Sequence, residues 1–231
     1  MHILDEAIVE LCSFKDALDQ YIEVKDAAAL GDVNLEITPT DSGPILRLPR
    51  QAIPPRFFLE QVLPFSSPKF ELENVACDTF SPRRVIGGTF GRYGLVEPSI
   101  VMDTSDKLVA DNRLDHPQSA RVTQVGELKL FVAYEGKNRI ELFKKFRRTM
   151  KAFVSPSPFP KSAELALVRF TFTEHWGVEF KGDLRVLPYP KPVVRLLAAY
   201  GVTTHRSSFD PFIASKVKKL RRGILSQRMT G

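Results

Sequence analysis

Apolar residues recur at Ile3/Leu4, Ala7/Ile8, Leu11, Phe14, Leu18 and Tyr21/Ile22, which predicts a helix with one buried face. Gly31 supplies its stop. The alternation in "VNLEITPT" (33–40) predicts a strand, and Asp41-Ser42-Gly43-Pro44 a turn into a second short strand, "ILRL" (45–48). Pro54-Pro55 opens a short helix through "RFFLEQV", because proline is tolerated in a first turn. Residues 66–88 are mixed, with weak strand character. Gly94 reads as a helix cap, and Pro98 leads into a strand, "SIVMD" (99–103). Residues 107–127 are polar and read as loop. "LKLFVAY" (128–134) predicts a strand, and 138–151 a helix with Ile140, Phe143, Phe146 and Met150 inward. "SPSPFPKS" (155–162) predicts a proline-serine loop. A strand is expected in "LVRFTFT" (167–173) and a helix in "KPVVRLLAAY", stopped by Gly201. The last helix is basic and amphipathic, with Ile213, Val217, Leu220 and Ile224 on one face.

Composition narrows what this pattern can be. With 231 residues, 43% of them hydrophobic, the chain can bury a sizeable core as one large domain or two small ones. Cys12 and Cys77 match no metal or redox spacing, so a reducing compartment is the simpler setting. The acidic beginning is unlike a signal peptide, and no apolar run reaches the roughly 18 residues of a membrane helix. A soluble, cytoplasmic protein with no membrane partner is expected.

Charge is unevenly spread. Residues 1–40 hold nine acidic side chains against Lys15 and Lys25, a net of −7. The whole chain carries +6, so the remainder carries +13. Residues 137–151 carry seven cations against Glu141 alone, and residues 216–228 carry six with no acid. On one continuous helix Lys144, Arg147, Arg148 and Lys151 share a face, and Lys145 lies beside it. Lys218, Lys219, Arg221 and Arg222 repeat the theme. Such faces suit successive phosphates of DNA, or else they are ordinary solvated surface. The acidic and basic terminal helices are also candidates for docking a protein partner.

Known catalytic signatures do not account for the chain. It has no G-x-x-x-x-G-K-[ST] loop and no G-x-S-x-G elbow, and its four histidines are scattered. The glycine-rich "VIGGTFGRYG" lacks the full G-x-G-x-x-G frame. Asp103, Asp106, Asp111, Asp115 and His116 are close in sequence but have no recognisable metal-ligand spacing, so no metal site is assigned.

Gly94-Leu95-x-x-Pro98, then a strand ending in Glu135-Gly136-Lys137-Asn138-Arg139 and a helix, resemble in order the N-terminal domain of the ParB/sulfiredoxin-like superfamily. The resemblance spans 44–172 and implies a small mixed α/β core. A helical acidic extension (1–40) would precede it, and an extension with a basic helix (173–231) would follow. It implies a phosphate or nucleotide site at Gly136, Lys137, Asn138 and Arg139, with a nucleoside triphosphate and Mg²⁺ as the candidate cofactor. Helix N-terminal amides suit an anion, and the two cations add charge. Glu135 would be a catalytic hydroxyl or metal partner, or simply the end of the strand.

The departures from the family are specific. The turn lacks the cysteine of sulfiredoxins and the second glutamate of chromosome-partition ParB proteins. No helix-turn-helix is legible after residue 172. The expectation is therefore a DNA-binding ParB-like protein of a DNA-processing, plasmid or mobile-element system. The alternatives are a ParB-like nuclease, a nucleotide-dependent kinase or a non-catalytic assembly subunit.

Overall fold

The computed structural model describes residues 3–27, 36–38, 45–47, 52–87, 97–206 and 210–226. The Gly31 stop, the Asp41–Pro44 turn, the Gly94-Leu95 element, most of the glycine-rich stretch and Arg228 lie outside these residues. The described helices are α1 (Ile3–Ala27), α2 (Pro55–Val62), α3 (Pro98–Ala110), α4 (Lys137–Lys145), α5 (Pro190–Tyr200) and α6 (Ile213–Ser226). The strands are β1 (Glu36–Thr38), β2 (Ile45–Arg47), β3 (Ala76–Phe80), β4 (Val85–Ile86), β5 (Arg121–Val125) and β6 (Leu130–Glu135). They continue with β7 (Met150–Ser157), β8 (Leu165–Arg169), β9 (Trp176–Phe180), β10 (Asp183–Val186) and β11 (Thr203–Arg206).

The expected mixed α/β class is what folds. β1 and β2 form an antiparallel pair. A five-stranded sheet runs β3-β7-β5-β6-β4 and a four-stranded sheet β10-β9-β8-β11, both with parallel and antiparallel neighbours. β6 explains the apolar run in "LFVA". Leu130 and Val132 enter one core with α1, α2, α5 and the four-stranded sheet, while Phe131 and Ala133 enter a second core with Ile140, Phe143 and Met102. A strand buried on both faces has no polar side to alternate with. β8, inside the 44–172 span, pairs with β9 and β11 from beyond it.

Four sequence expectations are corrected. "SIVMD" opens helix α3, with Pro98 in its first turn and Val101, Met102, Ser105 and Val109 buried at helical spacing. The stretch expected as loop at 107–127 contains the end of α3 and strand β5. Pro156, expected in a loop, lies in β7 opposite Gln124 of β5; Phe153 N–H points to Ala120 O on the β5 side, so by alternation the nitrogen of Pro156 faces the β3 side, where pairing ends at Val154. "LVRFTFT" breaks after Arg169, where Phe170 N–H donates to His175 O across the reversal. Gly201, with φ +99°, ends α5 as expected.

Candidate functional site

At the turn, β6 ends with Tyr134 and Glu135 exposed, and Tyr134 stacks on Phe70 with centroids 5.2 Å apart. Gly136 takes φ +78° at the α4 N-cap, and its carbonyl accepts from Ile140 N–H at 3.0 Å. A Cβ on Gly136 would lie 3.3 Å from Ala120 Cα and from Nε and Nη2 of Arg139. Glycine suits this position twice, taking the left-handed backbone without strain and leaving room beneath a guanidinium. Arg139 is only 8% exposed and folds back over the turn. Glu135 is exposed, Lys137 half-buried, and the Asn138 side chain lies outside the described residues.

The basic face expected beyond this turn does not form, because α4 stops at Lys145. Arg147 takes φ +52°, its N–H donates to Lys144 O at 3.1 Å, and Arg148 N–H donates to Phe143 O at 3.1 Å. This is the paired bond pattern that closes a helix through a left-handed residue, here an arginine instead of glycine. Met150 is buried as expected but begins β7, and Phe146 is exposed. Lys144 turns inward to Asp16 (2.9 and 3.0 Å) and Glu141 (3.1 Å). Arg148 binds Asp103 at 2.6 Å and Asp106 at 3.1 Å, and Lys151 N–H donates to Asp106 Oδ1 at 2.9 Å. Two acids of the run 103–116 thus anchor the α4–β7 corner, while His116 Nδ1 accepts Gln118 N–H. No group of three or more His, Cys, Asp or Glu side chains converges among the described residues. Lys145, Arg147 and Lys151 remain exposed.

A buried ionic cluster joins α1 to α4, and the sequence reading missed it. Lys15 is fully buried; its Nζ donates to Asp19 and to Gly87 O (3.1 Å) and sits 5.8 Å from the Phe58 ring centroid. Asp19 also accepts Ile53 N–H at 3.1 Å. Burial pulls the Lys15 ammonium below the usual lysine value against the attraction of Asp19. Burial raises Asp19 and Glu141 and pushes the Cys12 thiol up to about 12. Burial also works against the Lys144 charge, but Glu141 and Asp16 outweigh it and hold Lys144 above its ordinary value. The legible signal was Lys15 itself, four residues after Leu11 on the apolar stripe. Elsewhere on α1, Asp5 pairs with Arg84 at 3.2 Å, and Glu6 and Glu10 pair with Arg195. These acids of the helix are therefore partnered by cations of its own chain.

α6 behaves as its periodicity predicts, burying Ile213, Val217 and Ile224, with Leu220 half-buried. Lys216 pairs with Asp210 at 2.8 Å. Arg221 donates to Pro188 O at 2.6 Å and lies over the Tyr189 ring. Lys218, Lys219 and Arg222 are exposed, Lys219 at the edge of a groove, and make no ion pair among the described residues. Between α2, β10 and α6 runs a groove of about 640 Å³. Its lining was not legible in sequence because its three elements are remote in the chain.

No described helix is long and apolar enough to cross a membrane. Compared with protein-family models, curated proteins and solved structures, the chain matches none of them.

Proposed function

We propose that this chain binds nucleic acid through the phosphate backbone, with α6 as the principal contact. The carrying observation is the outward face of α6, where Lys218, Lys219 and Arg222 are exposed on a helix that contains no acidic residue. Residues 218 and 222 are one turn apart, as are 219 and 222, so the three charges form one patch. Neutralising phosphates there releases counterions and gives binding that is salt-sensitive and tolerant of sequence.

The internal pairing of α1 supports the reading, since Asp5, Glu6, Glu10 and Asp16 are held by Arg84, Arg195 and Lys144. Lys145, Arg147 and Lys151 add a second exposed basic corner. The Glu135–Arg139 turn contributes less, because Arg139 is folded inward and Lys144 is engaged by carboxylates. A ParB-like relationship belongs to the proposal through the strand–turn–helix order of the β6–Gly136–α4 unit alone, since Pro98 opens a helix where the resemblance expects a strand.

The test is fluorescence anisotropy with a mixed-sequence DNA duplex between about 50 and 200 mM salt. Replacing Lys218, Lys219 and Arg222 together by alanine is expected to flatten the slope of log K against log salt by roughly 2.7. An unchanged slope, or no detectable binding by the unmodified chain at the lowest salt, ends the proposal.

A further inference from the structure

The groove between α2, β10 and α6 has the size of a small-molecule site, about 640 Å³. Its apolar wall is built from Phe57, Pro64, Val186 and Leu220. Gly223 leaves part of the space open: a Cβ added there meets nothing within 4 Å. The glycine is helical and not in a left-handed conformation, so no turn requires it.

Among the described lining residues are Arg185, Lys216, Lys219 and one acid, Glu60. Glu60 is paired with Arg56 at 2.7 Å, Arg185 with Asp183 at 3.0 Å and Lys216 with Asp210 at 2.8 Å, so the excess positive charge of the lining is that of Lys219. Lys219 has no ion pair among the described residues and is available to an incoming anion.

We propose that this groove binds a small amphipathic anion, an aryl or acyl carboxylate, sulfonate or phosphate. The apolar body lies against Leu220, Phe57 and the open space over Gly223, and the anionic group meets Lys219 with Arg185 and Lys216 nearby. Burying an apolar body supplies the drive, and a charge-assisted hydrogen bond fixes the orientation. Lys219 is common to this assignment and the nucleic-acid reading, but the ligand, the apolar wall and the readout are different, so either can fail without the other.

The experiment is calorimetric titration of the full chain with naphthalene-1-sulfonate and with the neutral naphthalene-1-sulfonamide. The sulfonate is expected to bind about tenfold more tightly, the equivalent of one charge-assisted contact. Lys219→Glu, a surface change that leaves the helix intact, is expected to remove that preference. Gly223→Phe is expected to abolish binding of both probes by filling the space, whereas Gly223→Ala retains both. Circular dichroism confirms that each variant is folded. Equal binding of the two probes, undiminished binding in folded Gly223→Phe, or no binding of the sulfonate to the unmodified chain each overturns the proposal. An acidic peptide that occupies the groove while the sulfonate does not overturns it as well.

Discussion

At the scale of single residues, the buried cluster shows how burial and pairing compete. Lys15 and Asp19 satisfy each other and two backbone groups, Gly87 O and Ile53 N–H. Cys12 sits among these charges fully buried, and burial pushes its thiol from 9.0 up to about 12. In the unfolded chain the same thiol ionises near its ordinary value. Between these two values the folded state holds a proton that the unfolded state has released, so stability falls as pH rises. The single thiol contributes a fall of roughly 1.4 kcal/mol per pH unit in that window and nothing below it. Cys12→Ala removes this contribution and leaves those of the other shifted alkaline groups, Lys15, Lys144, Tyr189 and Tyr200. Urea melts at several pH values from 8 to 11 are expected to show the variant losing stability less steeply than the unmodified chain above pH 9. Parallel losses in the two proteins would mean that Cys12 ionises as readily folded as unfolded.

At the scale of elements, the end of α4 carries a conflict between pattern and backbone. Ile140, Phe143, Phe146 and Met150 recur as a helix would place them, yet the helix stops at Lys145 through a left-handed Arg147. A left-handed non-glycine residue costs energy that glycine avoids. Arg147→Gly is therefore expected to stabilise the protein by about 0.5–1 kcal/mol in a denaturant melt, net of the extra freedom glycine gains when unfolded. A loss of stability would indicate that Arg147 makes a contact worth more than its strain. This case also shows why legibility was uneven. α5 and α6 were readable because a glycine stop or an uninterrupted apolar stripe marked them locally. The α4 stop and the β8–β9 reversal were not, because no glycine marks either: Arg147 and Phe172 take the positive φ instead. α3 was hidden by a proline that opens a helix as well as it precedes a strand. At the candidate site, the five residues of the Glu135–Arg139 turn are adjacent by sequence, but the inward fold of Arg139 depends on Ala120 and Gly136 meeting in space. The exposed cations of α6 were visible from periodicity, while the groove beside them required α2, β10 and α6 to be brought together.

At the scale of the whole molecule, the question is whether α1 is an appendage or a wall of the core. Ala7, Ile8 and Leu11 are completely buried and belong to the same core as α2, α5 and the four-stranded sheet. Fully burying side chains such as Ile8 and Leu11 contributes about 1.5–3 kcal/mol each, against a typical net stability of about 5–15 kcal/mol. Removing residues 1–27 would also strip Lys144 of Asp16 and leave Lys144 beside Glu141 at a newly opened surface. The deletion is therefore expected to abolish cooperative thermal unfolding, followed by circular dichroism. Charge alone does not account for this: Arg195 and its partners Glu6 and Glu10 are partly exposed, and exposed pairs contribute roughly 0–1 kcal/mol. Changing Glu6 and Glu10 to glutamine in the full chain is accordingly expected to leave a cooperative transition only slightly lowered. A deletion variant that melts like the full chain would make α1 an appendage. A glutamine variant that unfolds would mean that surface pairing, and not burial, holds α1 in place.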